Sequence, residues 1–326
     1  MKRKLLFGYV FFNILIFIIP IIFSFFIRLP GKSPENTVQA KDKQAGASLT
    51  VSVLDTKTNE VKVYDLEEYL VGVVTAEMPA SYEPEALKAQ AVAARSYILS
   101  KTESQNPSHP EAVVCSDPAH CKGYLSLSEA KEKWGNGWEK DFYPKIKSAV
   151  DATRGEYIAY ENEAVEAFFF ALSNGQTESA KDVWGSDLPY LKSTGSKDDS
   201  LSPNFYSTAE ISLSDFNTRL KKLNSDYTPS DKILPGAVAY TDGGRVKTIE
   251  IGGCSFKGTD IRSAFSLNSA DFTINQDGDK IIFNVKGKGH GVGMSQYGAN
   301  TLAKKGLTYK DILKHYYTGV EIMNKL

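Results

Sequence analysis

Three groups of side chains in this 326-residue chain have the types and spacing to do chemistry. The first is one carboxylate, Glu77, inside the run Asp65–Ser100, DLEEYLVGVVTAEMPASYEPEALKAQAVAARSYILS. Leu66, Leu70, Val73 and Val74 repeat with the period of a buried helical face. Carried forward, that period brings Glu77 onto the apolar stripe about three turns after Leu66, and leaves Glu67 and Glu68 on the solvated side. Partial burial and the negative end of the helix dipole both disfavour a charged carboxylate. A protonated acid near neutral pH is what general acid catalysis needs. On the pattern alone, a Glu77 that turns out of the last turn into solvent remains open.

The second group is His109, Cys115, His120 and Cys121, four donors soft enough for zinc within 13 positions of a Pro-rich loop. Adjacent His120 and Cys121 must diverge to reach one ion, and a Cys115–Cys121 disulfide is the rival outside the cytoplasm. A closed four-ligand zinc would be structural, with no open position for water. The third group lies in loops. Ser173-Asn174-Gly175 forms a turn whose amides and short side chains suit a ligand, and Asp182 follows it. Gly287–Gly298 carries His290, Ser295, Gln296 and Tyr297 between glycines. A nucleotide-binding reading of that loop fails because no βαβ unit follows it. Glycine here suits the close approach of an extended polymer.

The elements that must position these groups follow from caps and periodicity. Asp65 caps the first helix with Glu68 three residues on, Pro79 ends it, and Pro84 starts the next. In that second helix Leu87, Ala91, Ala94 and Ile98 form the apolar face. Arg95 flanks this face, where spacing fits a snorkelling surface arginine as well as a substrate contact. Upstream, Leu49–Leu54 and Glu60–Tyr64 alternate as a hairpin. Downstream, Lys131–Thr153 is helical, Gly155–Leu172 reads as a second hairpin, and residues 206–223 include a surface helix. Val246–Ile251 and Lys280–Val285 read as strands, Thr259 as the cap of a short helix, and Cys254 as a core thiol. Helices follow at about 299–305 and 308–316. This mixture without a βαβ series indicates an α+β fold: one elaborated helix/strand domain over 48–326, whose polar loops could form a substrate cleft.

Leu5–Ile27 is 23 residues without a charge, preceded by Lys2, Arg3 and Lys4. It is long enough to span a bilayer, and the basic flank keeps the N-terminus cytoplasmic. We read residues 1–28 as a signal anchor with one transmembrane helix and 29–47 as a flexible tether, which puts the domain outside the membrane. A net charge of −1 gives no electrostatic footprint for nucleic acid.

EYLVGVVTAEMP, ALKAQAVAARSY, SNGQTES with DVWG, and GHGVGMSQYGA occur in order across about 230 residues. Together they resemble the stage II sporulation protein D family. His109, Cys115, His120 and Cys121 further resemble the zinc ligands of its clostridial members. The resemblance implies a membrane-anchored lytic transglycosylase acting on peptidoglycan glycan strands during forespore engulfment, between the mother-cell and forespore membranes. It also implies a sporulation amidase and a membrane scaffold protein as partners. By position Glu77 matches the family's catalytic glutamate, and Arg95 and Asp182 match residues needed at or near its cleft. Ser173-Asn174-Gly175 stands where many relatives have Ser-Gly-Gly.

A lone acid suits that activity. Hydrolysis of a glycoside usually takes two carboxylates, roughly 5–5.5 Å or 6.5–9.5 Å apart. A transglycosylase manages with one because the sugar supplies the nucleophile. Two rivals stand beside this reading: a hydrolase with Asp182 as second carboxylate, and a non-catalytic glycan-binding activator of an amidase.

Overall fold

The computed structural model describes residues 49–102, 108–117 and 120–325. The expected anchor and tether lie outside these residues. No helix among the described residues is long and apolar enough to cross a membrane. The described chain is a mixed α+β structure with two hydrophobic cores.

The first core gathers the elements that carry the acid. Strands β1 (Thr50–Asp55) and β2 (Glu60–Asp65) pair antiparallel from Thr50↔Asp65 to Asp55↔Glu60. Asp65 ends β2 and caps α1 (Leu66–Glu77), accepting from the amides of Glu67 and Glu68 at 2.9 and 3.0 Å. Met78 is extended and Pro79 cannot continue the helix, so Glu77 is its last residue. Pro84 opens α2 (Pro84–Thr102), where its missing N–H costs nothing. Leu66, Leu70, Val73 and Val74 of α1 meet Leu87, Ala91, Ala94 and Ile98 of α2 in the buried interior.

β3 (Val114–Cys115) then lies parallel to β1, with Val53↔Val114 and Leu54↔Cys115 in register. Ser126 caps α3 (Leu127–Trp134) in a capping box with Glu129. The helix stops at Gly135, which has a positive φ, so the expected Lys131–Thr153 helix is divided, resuming as α4 (Tyr143–Ala152). β4 (Glu156–Tyr160) pairs with β5 (Glu163–Ala164), but β6 (Phe169–Phe170) belongs to another sheet. The expected second hairpin is therefore only its first half. α5 (Ala180–Trp184) follows, capped by Ser179.

The second core comes from the segment between Phe205 and Gly287. It contains β7 (Tyr206–Ser212), α6 (Leu213–Leu223), β8 (Pro235–Tyr240), β9 (Val246–Ile251), β10 (Cys254–Lys257), α7 (Gly258–Ala264), β11 (Asp271–Asp277) and β12 (Lys280–Lys286). They form two antiparallel sheets, ordered β10-β9-β8 and β11-β12-β7. Residues 206–212 are thus strand, not helix, and the helix begins where Ser212 accepts from the Asp215 amide. The expected Thr259 cap is corrected to Lys257, and Cys254 is half-buried at the margin of the core. The chain then returns to the first core through β13 (Met294–Ser295), parallel to β6, followed by α8 (Gln296–Lys304), α9 (Tyr309–Tyr316) and β14 (Glu321–Asn324) on β4.

Candidate active site and metal centre

Glu77 is half-buried at the C-terminus of α1. The Gly123 amide donates to its Oε1 at 2.8 Å, which fixes the carboxylate. A Cβ on Gly123 would stand 3.2 Å from that oxygen and 3.3 Å from the Ala76 methyl, so a larger residue there would press on the carboxylate and shift it by a few tenths of an ångström.

Two residues before Gly123 the candidate metal ligands end. One donor atom from each of His109, Cys115, His120 and Cys121 lies within 4.8 Å of all the others, and only His120 is exposed. Cys121 Sγ lies 3.4 Å from His109 Nε2 and 3.5 Å from His120 Nδ1, and Cys115 Sγ lies 3.4 Å from the same Nδ1. Bond lengths of about 2.3 Å to sulfur and 2.0–2.1 Å to nitrogen make the S···N edge of a zinc tetrahedron roughly 3.5 Å, so the residues fit the ion. His109 supports the fit: its Nδ1 bonds to the Ala112 carbonyl at 2.8 Å, which turns Nε2 towards the cluster as an acceptor. Both cysteines are free thiols, not a disulfide. Burial pushes the Cys121 thiol up to about 12, and a bound cation would reverse that effect. Pairing of Cys115 with β1 and the Cys121 N–H to Asp117 carbonyl bond brace the loop.

Between Cys121 and Gly123 stands Lys122, which the sequence pattern did not single out. Its Nζ lies 4.1 Å from the Phe169 ring centre, 4.3 Å from that of Tyr97 and 5.2 Å from that of Phe168, and the residue is 8% exposed. Burial pulls the ammonium down to about 8, and the Glu77 charge is the strongest pull in the other direction. Phe168 continues the aromatic wall to Trp184 at 4.6 Å and His290 at 6.2 Å between ring centres. Beyond it a cavity of about 540 Å³ is lined by Asp182, Trp184, His290, Arg245, Lys247 and Arg262, among others. Trp184 is 44% exposed there.

The structure divides the other expected site residues. His290 and Asp182 line this cavity, but His290 has no free nitrogen. Its Nε2 bonds to the Phe169 carbonyl at 3.1 Å and its Nδ1 accepts from the Val292 amide at 3.1 Å. Burial, then the charges of Lys122, Arg245 and Arg262, hold it down at about 3. It is a neutral wall of the cavity and not a hydrogen-bonding contact. Burial would raise the Asp182 carboxyl, but bonds from Lys247 at 3.1 Å and Ser179 at 3.0 Å outweigh it and hold it below the usual range.

Ser173, Ser295 and Gln296 are buried, and we correct their expected contact with substrate. The Ser173 amide and Ser295 hydroxyl both donate to Asp199 Oδ2, at 2.8 and 2.6 Å, and Gln296 donates to Gln90. Asn174 donates to Gly243 and Asp271, and Gly175 supplies a φ of 108° for the turn. Tyr297 is half-buried, edge-on to Tyr82 of the loop between α1 and α2. The glycines beside His290 serve internal packing: a Cβ on Gly291 would meet Arg245 Cζ at 2.6 Å, and one on Gly293 the Phe168 carbonyl at 2.0 Å.

Arg95, expected at the cleft edge, is wholly buried, and Glu67, expected in solvent, is buried beside it. Arg95 Nε donates to Glu67 Oε1 at 2.9 Å, Nη2 donates to Oε2, and Nη1 donates to the Glu156 carbonyl at 2.9 Å. The pair locks α1 to α2 and acts on Glu77 only through the helix. A period of 3.6 residues assigns a face but not what covers it; here β4 and the turn before it cover Glu67 and Arg95.

Residues 54–160 match the family described as stage II sporulation protein. The chain is 40% identical over 301 residues to stage II sporulation protein D of Bacillus amyloliquefaciens, across 90% of this chain and 86% of that one. Against stage II sporulation protein D of Bacillus subtilis it is 40% identical over 298 residues, 89% and 85% of the two chains. It is also 29% identical over 306 residues to the amidase enhancer of Bacillus subtilis, covering 78% of this chain and 40% of that protein.

Proposed function

Since the chain belongs to the stage II sporulation protein D family, we propose that it is a lytic transglycosylase that cuts peptidoglycan glycan strands during forespore engulfment. The observation that carries this reading is Glu77: a single half-buried acid at the C-terminus of α1, fixed by an amide. Protonated Glu77 gives its proton to the bridging oxygen of a MurNAc–GlcNAc bond. The ionised carboxylate then takes the proton from the muramyl C6 hydroxyl as that oxygen attacks C1. The glycosidic C–O bond breaks, the 1,6-anhydro bond forms, and water is not consumed.

Asp182 is a poor second carboxylate for a hydrolase, because Lys247 and Ser179 already occupy it. The strand lies along Phe168 and Trp184, whose ring faces suit pyranoses. Zinc held by His109, Cys115, His120 and Cys121 supplies structure only, since four protein ligands close its coordination. It fixes the loop that carries Lys122 and Gly123. Arg95 and Glu67 hold the helix; Asn174, Gly175, Asp182, His290 and Tyr297 shape the cleft. A single-pass anchor places the domain between the two membranes, where a sporulation amidase and a membrane scaffold protein are its partners.

Likeness to the amidase enhancer favours one second reading, a glycan-binding activator without its own chemistry. Mass spectrometry of digested strands decides. Anhydromuramyl ends support the transglycosylase, reducing ends a hydrolase, and no cleavage without added amidase the activator. Glu77→Gln should abolish product and leave strand binding within about twofold; full activity in that variant would falsify the role of Glu77.

A further inference from the structure

The cavity beside Trp184 holds more positive charge than its own carboxylates answer. Lys181, Arg245, Lys247, Lys257 and Arg262 line it, against Glu178, Asp182 and Asp260. Three of these cations are engaged. Lys247 Nζ lies 3.1 Å from Asp182 Oδ1, Lys181 Nζ 3.4 Å from Asp187 outside the cavity, and Arg245 Nε 3.7 Å from Glu178 Oε1. Arg262 and Lys257 make no ion pair among the described residues. Lys257 is exposed at the end of β10, and Arg262 is half-buried in α7.

Arg262 has one bond, from Nε to the Leu267 carbonyl at 3.4 Å. A role in holding that turn accounts for Nε alone, because Nη1 and Nη2 bond to nothing among the described residues. A guanidinium has five donors, and partial burial without acceptors is costly. Arg245 adds charge to the wall but no contact. Its unbonded Nη2 is sealed beneath Gly291, where a Cβ would stand 2.8 Å away. The third component is Trp184, which packs on Phe168 and His290 at 4.6 and 5.2 Å between ring centres and still leaves 44% of its surface exposed.

A neutral sugar would use the ring and none of the cations, and a small free anion would use the cations and not the ring. The ligand that uses both is a sugar that carries an acid. The volume of about 540 Å³ is in the range of small-ligand sites, and the planar fork of an arginine matches a carboxylate at two points. We infer that this cavity is a subsite for a carboxylate borne by the glycan strand: Arg262 receives the carboxylate, Lys257 closes on it from solvent, and Trp184 stacks on the sugar. This deepens the proposed function and rests on its glycan-strand reading. Such a strand offers the carboxylate from two sources, the free lactyl group of a bare muramyl residue and the stem peptide where one is attached.

The test is strand affinity, measured by calorimetry on the zinc-loaded full chain carrying Glu77→Gln so that nothing is cut. Three probes of equal length are compared: a muramyl strand freed of peptides, the same strand with its carboxyls reduced to alcohols, and a strand that keeps its stem peptides. A strand with the right carboxylate should bind about tenfold tighter than the reduced strand, the size of one charge-assisted contact, and added salt should narrow the gap. Arg262→Gln should remove most of that advantage, and Lys257→Gln should cut it about two- to threefold. The reduced strand should bind within about twofold in every variant. Sensitivity of the peptide-free strand assigns the site to the lactyl carboxylate, and sensitivity of the peptide-bearing strand alone assigns it to the stem. Insensitivity of both overturns the subsite, as does an equal loss on the reduced strand, which would mark Arg262 as structural. Should Arg262→Gln fail to fold, Lys257→Glu at its exposed position reverses one charge, and the same comparison decides. Failure of every strand to bind would end the glycan reading itself, whereas binding that ignores the carboxylate ends only the subsite.

Discussion

Two buried Arg–Glu pairs, one between α1 and α2 and one joining the second-core segment to the chain outside it, use the same residue types to different ends. Arg95 and Glu67 meet through two hydrogen bonds, and the Glu156 carbonyl and Gly155 amide take up further capacity. Arg245 and Glu178 are as deeply buried, but their nearest approach is 3.7 Å. Arg245 Nη1 reaches the Gly289 carbonyl at 2.7 Å and Thr241 reaches Glu178 Oε1 at 2.8 Å. Glu178 Oε2, Arg245 Nε and Arg245 Nη2 have no hydrogen-bond partner among the described residues. The first pair is completed architecture behind the acid helix. The second is an incompletely bonded clamp under the Gly-rich loop, at the wall of the cavity. A fully paired buried charge fixes position; a partly paired one leaves its surroundings adjustable.

The largest expected effect tests the first pair. Arg95→Met strands a buried carboxylate and should cost about 3–5 kcal/mol in urea unfolding. Arg245→Met should cost less, about 1–3 kcal/mol, and the reverse order would break the contrast. Next, chelation of zinc should remove about 3–4 kcal/mol if the site is held at 100 to 1,000 times its Kd. Hydrogen exchange should then rise at Lys122 and Gly123 while Val73 and Val74 stay protected; equal exposure of all four would mean that the acid helix depends on the metal as much as the loop does.

Glu178→Gln should be milder still, about 1–2 kcal/mol, since burial already pushes the Glu178 carboxyl up and favours its neutral form. The sign follows from linkage. A carboxyl raised on folding contributes stability below its unfolded value, and that contribution is lost as pH rises through its folded value. Melting temperature measured upwards from about pH 4 should therefore fall less steeply in Glu178→Gln, and an unchanged slope would exclude Glu178 as its source. Smallest of all, His290→Phe should cost about 1 kcal/mol for its two backbone bonds and leave the pH profile of turnover in place. A displaced limb would show that the ring takes part in proton transfer.

The helix pair was legible because every signal was local. Asp65, Pro79 and Pro84 are punctuation that acts within a few residues, and the apolar period continues between them. The convergence of His109, Cys115, His120 and Cys121 on one point was legible from donor types alone. Residues 206–212 were not, since Tyr206–Ser212 owes its extension to pairing with β12 far along the chain, although Ser212 and Asp215 carried the signal for the helix start. Lys122 escaped notice because its cage is assembled from α2 and the segment around β6. Asp199 and the Arg245–Glu178 clamp are likewise products of tertiary approach. The serines near Asp199 looked like ligand contacts because a polar loop residue reads the same whether it faces solvent or an internal carboxylate.

The segment carrying the second core leaves and returns through one closed neck. The Gly287 amide donates to the Phe205 carbonyl at 2.9 Å, and Leu172 and Lys288 exchange backbone bonds beside it. Its ends are therefore already joined, and changes of length inside it alter closure entropy only slowly. Arg245, Lys247 and Arg262 ride on this segment, whereas Glu77, Lys122 and the metal ligands do not. The neck makes the segment an exchangeable cassette: one wall of the cavity can be rewritten, by engineering or by descent, while the acid and its loop stay as they are.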